Sequence, residues 1–320
     1  MNLTAGIIVA TYNGEKFIIE QLESLKNQTY PLSQVIISDD GSTDSTVKLV
    51  TDFIEQNHLS NWQLNINKVN KGYAKNFLDA AMSAVPEVLF FCDQDDIWKL
   101  DKVGLMVEAY EKNPDMKMMA SDLELWYVDD DAVHWSAKDT ATMNDSKTME
   151  KITFSPASFQ CQRSGCTMSI RKDFLHNIYP YWVSGWAHDE FVWKCAILLD
   201  CCGIYHYRGI KRRMHSNNVT NVKIRTREKR IKQIMYEKNA IDSMAVLLQS
   251  SYARSIESHG DKERLLENLN RYNALRMQCV KNHNLLAWLK LYTHYQECYP
   301  SKNTMLMDAY LAIFNSYKKK

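Results

Sequence analysis

Over its first 125 residues the chain repeats one unit, a short apolar run followed by an amphipathic stretch, and this alternation restricts the fold more than any other feature. AGIIVAT precedes GEKFIIEQLESLKNQ, QVIISD precedes STVKLVTDFIEQN, WQLNIN precedes KGYAKNFLDAAMSAV, EVLFFCD precedes KLDKVGLMVEAYEKN, and KMMASDL closes the series. The apolar runs have strand length, and the stretches between them carry helical spacing. Neighbouring strands joined through helices run parallel, so the pattern predicts a doubly wound α/β sheet with flanking helices.

In such a sheet ligands bind just past the carboxyl ends of the strands. The segments placed there are Thr11-Tyr12-Asn13-Gly14, Asp39-Asp40-Gly41-Ser42, Asn70-Lys71-Gly72 and Asp93-Gln94-Asp95-Asp96. The last follows the apolar run VLFFC, and acids at the end of a buried strand need a counter-charge. Acidic clusters in loops are commonly solvated turns, but a hard divalent cation, Mg²⁺ or Mn²⁺, is the natural partner here. Asp93 and Asp95, two apart on an extended segment, share a side and can hold it together with phosphate oxygens. A calcium-binding EF-hand loop starting at Asp93 fails, because its sixth and twelfth positions are Trp98 and Gly104. Neither GxxxxGK[ST] nor GxGxxG occurs, which leaves phosphate contacts to metal and cations. In DDGS, Gly41 suits a turn and Ser42, Thr43 or Asp44 suits a helix cap, which leaves one of the two acids for a ligand N–H.

With 320 residues, 45% apolar and 24% charged, the chain can bury a large core. Its net charge of +1 conceals ten Lys/Arg and one acid between Arg208 and Lys232, a segment that calls for a partner or a solvated face. The near-neutral total and the lack of a binding motif argue against nucleic acid. No apolar stretch reaches membrane-spanning length, and the first residues lack a signal-peptide pattern, so a cytoplasmic location is expected. Eight cysteines without a CxxC pair are expected to be reduced and mostly buried. Val128 to Phe159 reads as a long polar loop, with regular structure resuming near Gly165–Ile170. Beyond Asn221 the pattern is helix only, about four helices with breaks near Ser258-His259-Gly260 and Pro300-Ser301. Residues 1–221 are therefore expected to form the catalytic domain and 222–320 a C-terminal helical region. The tail LLAWLKLYTHYQECY, followed by Lys318-Lys319-Lys320, suits either the surface of an anionic membrane or packing against the catalytic domain or a second copy, as in a homodimer.

IIVATYNGEKFIIEQLESLKNQTY, VIISDDGSTDST, NKGYAKNFLDAA and FFCDQDDIWKLDKV, in this order and spacing, resemble the nucleotide-sugar-dependent glycosyltransferases of family 2. The resemblance reaches about Asn221. It implies the GT-A fold, a mixed, mainly parallel sheet, and a nucleoside-diphosphate sugar donor. It implies that Thr11, Tyr12, Asp40 and Asn76 surround the base, with Gln94 and Asp93 beside the nucleotide. Asp95 and Asp93 look like the DxD metal pair, with Asp96 set back from the ion and Trp98 packed under the loop. In AHDEFVWKCA, Asp189 starts a helix where the family's general base stands, although helix dipoles favour acids there in any case. Glu190 is its substitute or an acceptor contact. His215 is implied as a further metal ligand, Arg212 and Arg213 as diphosphate contacts, and Gly165 and Cys166 as neighbours of the acceptor. FCDQDDIW, GCTM, HDE and RMHSNNV together are similar to rhamnosyltransferases that use dTDP-rhamnose, acting on a saccharide or lipid-linked glycan. A UDP-hexose donor is the alternative. A metal-dependent phosphotransferase with an aspartate nucleophile is the reading from another class, but such enzymes carry DxD after the first strand, which here ends in TYNG.

Overall fold

The computed structural model describes residues 3–216, 218, 226–254 and 259–314. The expected 221/222 boundary, Lys223 and Arg225 of the basic segment, Ser258 and Lys318–Lys320 lie outside the described residues. The first half alternates as expected: β1 (Ala5–Thr11), α1 (Ile18–Lys26), β2 (Leu32–Asp39), α2 (Thr46–Gln56), β3 (Trp62–Ile66), α3 (Tyr73–Ser83), β4 (Val88–Asp93), β5 (Ile97–Trp98), α4 (Lys102–Lys112) and β6 (Met118–Tyr127). There follow α5 (Ala137–Thr140), β7 (Met149–Ile152), β8 (Met168–Arg171), α6 (Lys172–Ile178), α7 (His188–Leu198) and β9 (Cys202–Met214).

Among the described residues nine strands form one sheet in the order β3-β2-β1-β4-β8-β6-β9-β5, with β7 on β9. β3, β2, β1 and β4 are parallel, and β8 enters antiparallel to both β4 and β6. Side chains alternate across the sheet. Ile7, Val9, Val35, Phe90 and Cys92 face the core under α1, α2 and α4, whereas Ile8, Ile36, Leu89 and Phe91 face the core under α3, α6 and α7. Covering both faces is what made these strands read as unbroken apolar runs.

One expectation changes and another divides. The Val128–Phe159 segment contains α5 and β7, whose Met149 pairs with Tyr205 of β9. Of the two readings of the basic run, Lys211, Lys229 and Lys232 take the solvated one, whereas Arg212 and Arg213 of β9 are buried against partners. Aromatic rings and acids contributed by distant parts of the chain accept these cations, and no local pattern records that.

The helical region comprises α8 (Arg227–Leu248), α9 (His259–Asn282), α10 (Leu285–His294) and α11 (Lys302–Ile313). Its residues Ile241, Met244 and Leu269 join the same apolar cluster as Trp193 and Phe174 under the sheet. A buried ionic knot ties the helices together. Arg276 meets Glu237 at 2.5 Å and Asp308 at 2.8 Å, and Arg230 meets Asp308 at 3.0 Å. No helix among the described residues is long and apolar enough to cross a membrane. All eight cysteines are free, and seven are buried.

Candidate active site

The carboxyl ends of β1, β2 and β4 meet in a braced rim. The Tyr12 amide donates to Gln94 Oε1 at 2.9 Å, and Gln94 Nε2 donates to the Tyr12 carbonyl at 3.2 Å. A Cβ on Gly14 would lie 2.2 Å from Gln94 Oε1, so any side chain there would displace the Gln94 amide. Gln94 thus holds two loops together, while the Tyr12 ring stands out, 48% exposed. Asp39 accepts the amides of Gly41 and Ser42 at 3.1 and 2.8 Å and the Thr11 hydroxyl at 2.9 Å, which accounts for the first acid of DDGS as a turn former. Asp40 is more heavily engaged than expected. It accepts the amides of Lys71 and Gly72, both at 2.8 Å, and the Asn67 amide group at 3.0 Å. A carboxylate has about four acceptor positions, so a ligand N–H can still be taken. Asn76 is locked to Ser38, whose hydroxyl donates to it at 2.6 Å, and it shapes the wall from behind.

In the carboxylate turn the geometry departs from simple alternation. Residues 94–95 form a tight turn, so positions 93 and 96 come together. Ligand atoms of Asp93, Asp96 and Cys166 lie within 4.8 Å of one another. Asp96, expected to sit back, therefore joins Asp93. It is buried, with Oδ1 accepting the Arg213 amide at 3.0 Å and Oδ2 without a protein partner. Asp95 points to His215, whose Nε2 is 2.8 Å from Oδ2. Burial, followed by the charge of Asp95, raises Asp93 from 3.8 to about 7, against the pull of Arg212. Burial, then the charges of Asp95 and Asp93, push Asp96 well up. Two crowded carboxylates and an orphaned buried oxygen fit a hard cation such as Mn²⁺ or Mg²⁺. The Cys166 thiol, pushed up by burial, is a poor donor to such an ion.

The two arginines diverge. Arg212 interacts with Asp93, Asp95 and Asp96, donates to Ser164 Oγ at 2.5 Å and stacks on Trp135 at 5.3 Å. Arg213, expected at a diphosphate, is already committed. Its Nε donates to the Asp95 carbonyl at 2.9 Å, Nη2 reaches Glu20 at 2.8 Å, and its guanidinium lies between Phe17 and Trp126 at 4.4 and 4.3 Å. It fastens the turn. Trp98 packs beneath, as expected, and Lys102 Nζ rests 3.6 Å from its ring centre.

Across the cleft α7 presents its N-terminus. Asp189, with Glu190, Tyr73, Trp135, Ser164 and others, lines a cavity of about 330 Å³. Glu190 is paired with buried Lys194 at 2.5 Å, while Asp189 Oδ1 accepts the Glu190 amide at 2.8 Å. Asp189 is near enough for its charge to contribute to the rise of Asp93. Gly165 and Cys166, expected beside an acceptor, are buried in a one-turn 3-10 helix, with Cys166 next to Asp93 and Asp96. A Cβ on Gly165 would lie 2.7 Å from His188 Nε2 and 3.1 Å from Asp189 Cβ, so this glycine lets the α7 terminus approach. His188 itself stacks on Phe77 at 4.2 Å.

Sequence reasoning missed several supports. Asp122, on β6, is buried and accepts Arg163 Nε at 2.8 Å, His206 Nδ1 at 2.9 Å and the Asn144 amide at 2.9 Å, fixing the loops that floor the cavity. Its place at the end of KMMASD was the available signal. From the helical region, the Tyr236 hydroxyl accepts the Ala187 amide at 2.7 Å, just ahead of α7.

A largely parallel sheet with an acid turn at a strand end, faced by a helix-borne acid, has the GT-A architecture, as do its structural neighbours. Residues 6–175 match the family model "Glycosyl transferase family 2", and the chain belongs to that family. An uncharacterized glycosyltransferase of Haemophilus influenzae is 27% identical over 224 residues, covering 68% of this chain and 67% of the relative. The dTDP-rhamnosyl transferase RfbG of Shigella flexneri is 28% identical over 199 residues, covering 59% of this chain and 64% of the relative. The structure of S. aureus TarS 1–349 in complex with UDP-GlcNAc superposes with a TM-score of 0.60 at 18% identity, covering 96% of this chain and 82% of TarS.

Proposed function

We propose that the protein is an inverting, divalent-cation-dependent transferase that moves a sugar, L-rhamnose from dTDP-rhamnose, to a hydroxyl of a bacterial surface polysaccharide or lipid-linked glycan on the cytoplasmic side. The observation that carries this reading is the pairing of the Asp93–Asp96 turn with Asp189 across one cleft. The acids crowd where a cation–diphosphate complex would neutralise them, and Arg212 supplies fixed positive charge beside them. Asp93, Asp95 and Asp96 would hold Mn²⁺ or Mg²⁺, and His215 orients Asp95. When bound, the cation offsets the negative charge that develops on the leaving nucleoside diphosphate.

Asp189 takes the proton of the acceptor hydroxyl as its oxygen attacks the anomeric carbon. The bond from that carbon to the diphosphate breaks on the opposite face, through an oxocarbenium-like state. Tyr12 offers an exposed face for the base, and Asp40 keeps acceptor capacity for its N–H. Similarity to RfbG supports the rhamnose donor. A UDP-hexose donor is the second reading, favoured by the likeness to TarS bound to UDP-GlcNAc.

The test screens dTDP-, UDP- and GDP-sugars with Mn²⁺ and Mg²⁺, using the parent and the Asp95→Ala and Asp189→Asn variants. Asp189→Asn should lose about 10²–10⁴-fold in transfer while still binding nucleotide. Full transfer by that variant rules out the base, undiminished turnover in Asp95→Ala rules out the cation site, and turnover confined to UDP-sugars rules out rhamnose.

A further inference from the structure

The helical region carries a surface that the transfer reaction does not use. On α10 the residues Ala287 and Leu291 are buried, and the opposite arc of the helix is apolar and open: Leu285, Leu286, Leu289 and Tyr292, with Leu286 73% and Leu289 50% exposed. α11, joined to α10 by the Trp288 indole donating to the Met305 carbonyl at 3.0 Å, also exposes Leu306 and Ile313. Soluble surfaces seldom group large apolar side chains in this way without a partner.

Charge identifies the partner. Beside this face a groove of about 410 Å³ between α9 and α10 is lined by Arg271, Lys290 and His294 together with Tyr295. Lys281, at the end of α9, and Lys302, at the start of α11, are also exposed. Arg271 carries an exposed acid beside it, Glu267 at 3.5 Å, but from Lys281 to Phe314 the acids are Glu297 and Asp308 alone, and Asp308 is buried against Arg276. A second copy docking about a twofold axis would set these cations against their own images. An anionic bilayer complements them: leucines enter the acyl boundary, Trp288 and Tyr292, stacked at 5.5 Å, suit its polar edge, and the basic groove takes a lipid phosphate.

We propose that the outer face of α10 and α11, with the Arg271–Lys290–His294 groove, docks the protein on an anionic phospholipid surface. The full chain is floated with phosphatidylcholine vesicles, with and without phosphatidylglycerol. Binding should require the anionic lipid and weaken with salt. Arg271→Glu with Lys290→Glu should lower it roughly ten-fold. Leu286→Glu with Leu289→Glu should abolish it, and both variants should keep the parent's donor hydrolysis and circular dichroism. Equal binding to both vesicle types, no binding, or parental flotation of the leucine variant overturns the proposal. Light scattering that shows a dimer dissociated by the leucine substitutions, without lipid binding, assigns the face to a second copy instead.

Discussion

Asp93 is held ionised in metal-free protein only at a cost, and Asp93→Asn measures that cost. Its carboxyl titrates at about 7, raised from 3.8 mainly by burial and then by Asp95. At about 1.4 kcal/mol for each pH unit this is a ceiling of about 4 kcal/mol, and screening by water in the half-open cleft lowers it to about 2 kcal/mol. A raised carboxyl releases its proton first in the unfolded chain, so stability falls as pH rises between about 4 and about 7 and is level above that. Replacement by asparagine should therefore leave stability near the parent's at about pH 4 and raise it by about 2 kcal/mol at about pH 8. Urea unfolding in EDTA reads both values, and the slope of each transition checks that the unfolded state is unchanged. Saturating Mn²⁺ should stabilise the parent by about 2–3 kcal/mol at a hundredfold excess over its dissociation constant, and the variant by less. An asparagine variant no more stable than the parent at about pH 8, or a gain that does not vary with pH, refutes the argument.

Three further outcomes follow from the packing. Gly165→Ala forces a methyl to 2.7 Å from the stacked His188 ring and should cost about 1–3 kcal/mol in urea unfolding, with a loss of transfer rate as the α7 terminus shifts. Lys102, buried over Trp98, is lowered from 10.5 to about 7 by burial; the unfolded chain holds its proton to higher pH, so Lys102→Met should stabilise the protein at neutral pH with a gain that shrinks toward pH 10, as read by thermal unfolding. Arg276→Met leaves Asp308 and Glu237 buried without their shared partner and should cost roughly 3–5 kcal/mol in denaturant unfolding.

The parallel half of the fold was legible because strand burial on both faces writes itself as unbroken apolar runs, and loop chemistry follows each run. The acids of the site were legible for the same reason. What they touch was not. Positions 93 and 95 are two apart in an extended chain, but a tight turn makes 93 and 96 the neighbours. Arg213 looked like a free cation because its partner Glu20 lies 193 positions away. The β9 arginines are covered by the rings of Phe17, Trp126 and Trp135, which are scattered along the chain with no periodic signal. Gly165 also clears space for a helix that follows more than twenty residues later, which no local pattern records.

The bond between Tyr236 and the Ala187 amide has a practical consequence for the family. The helical region lies outside the matched segment 6–175, which invites exchanging it between relatives as a cassette. In this chain the exchange would remove the group that satisfies the backbone one step before the α7 helix, so a transplanted tail must bring a hydroxyl to the same spot. Chimeras that ignore it are expected to keep their sheet, bind nucleotide and transfer poorly.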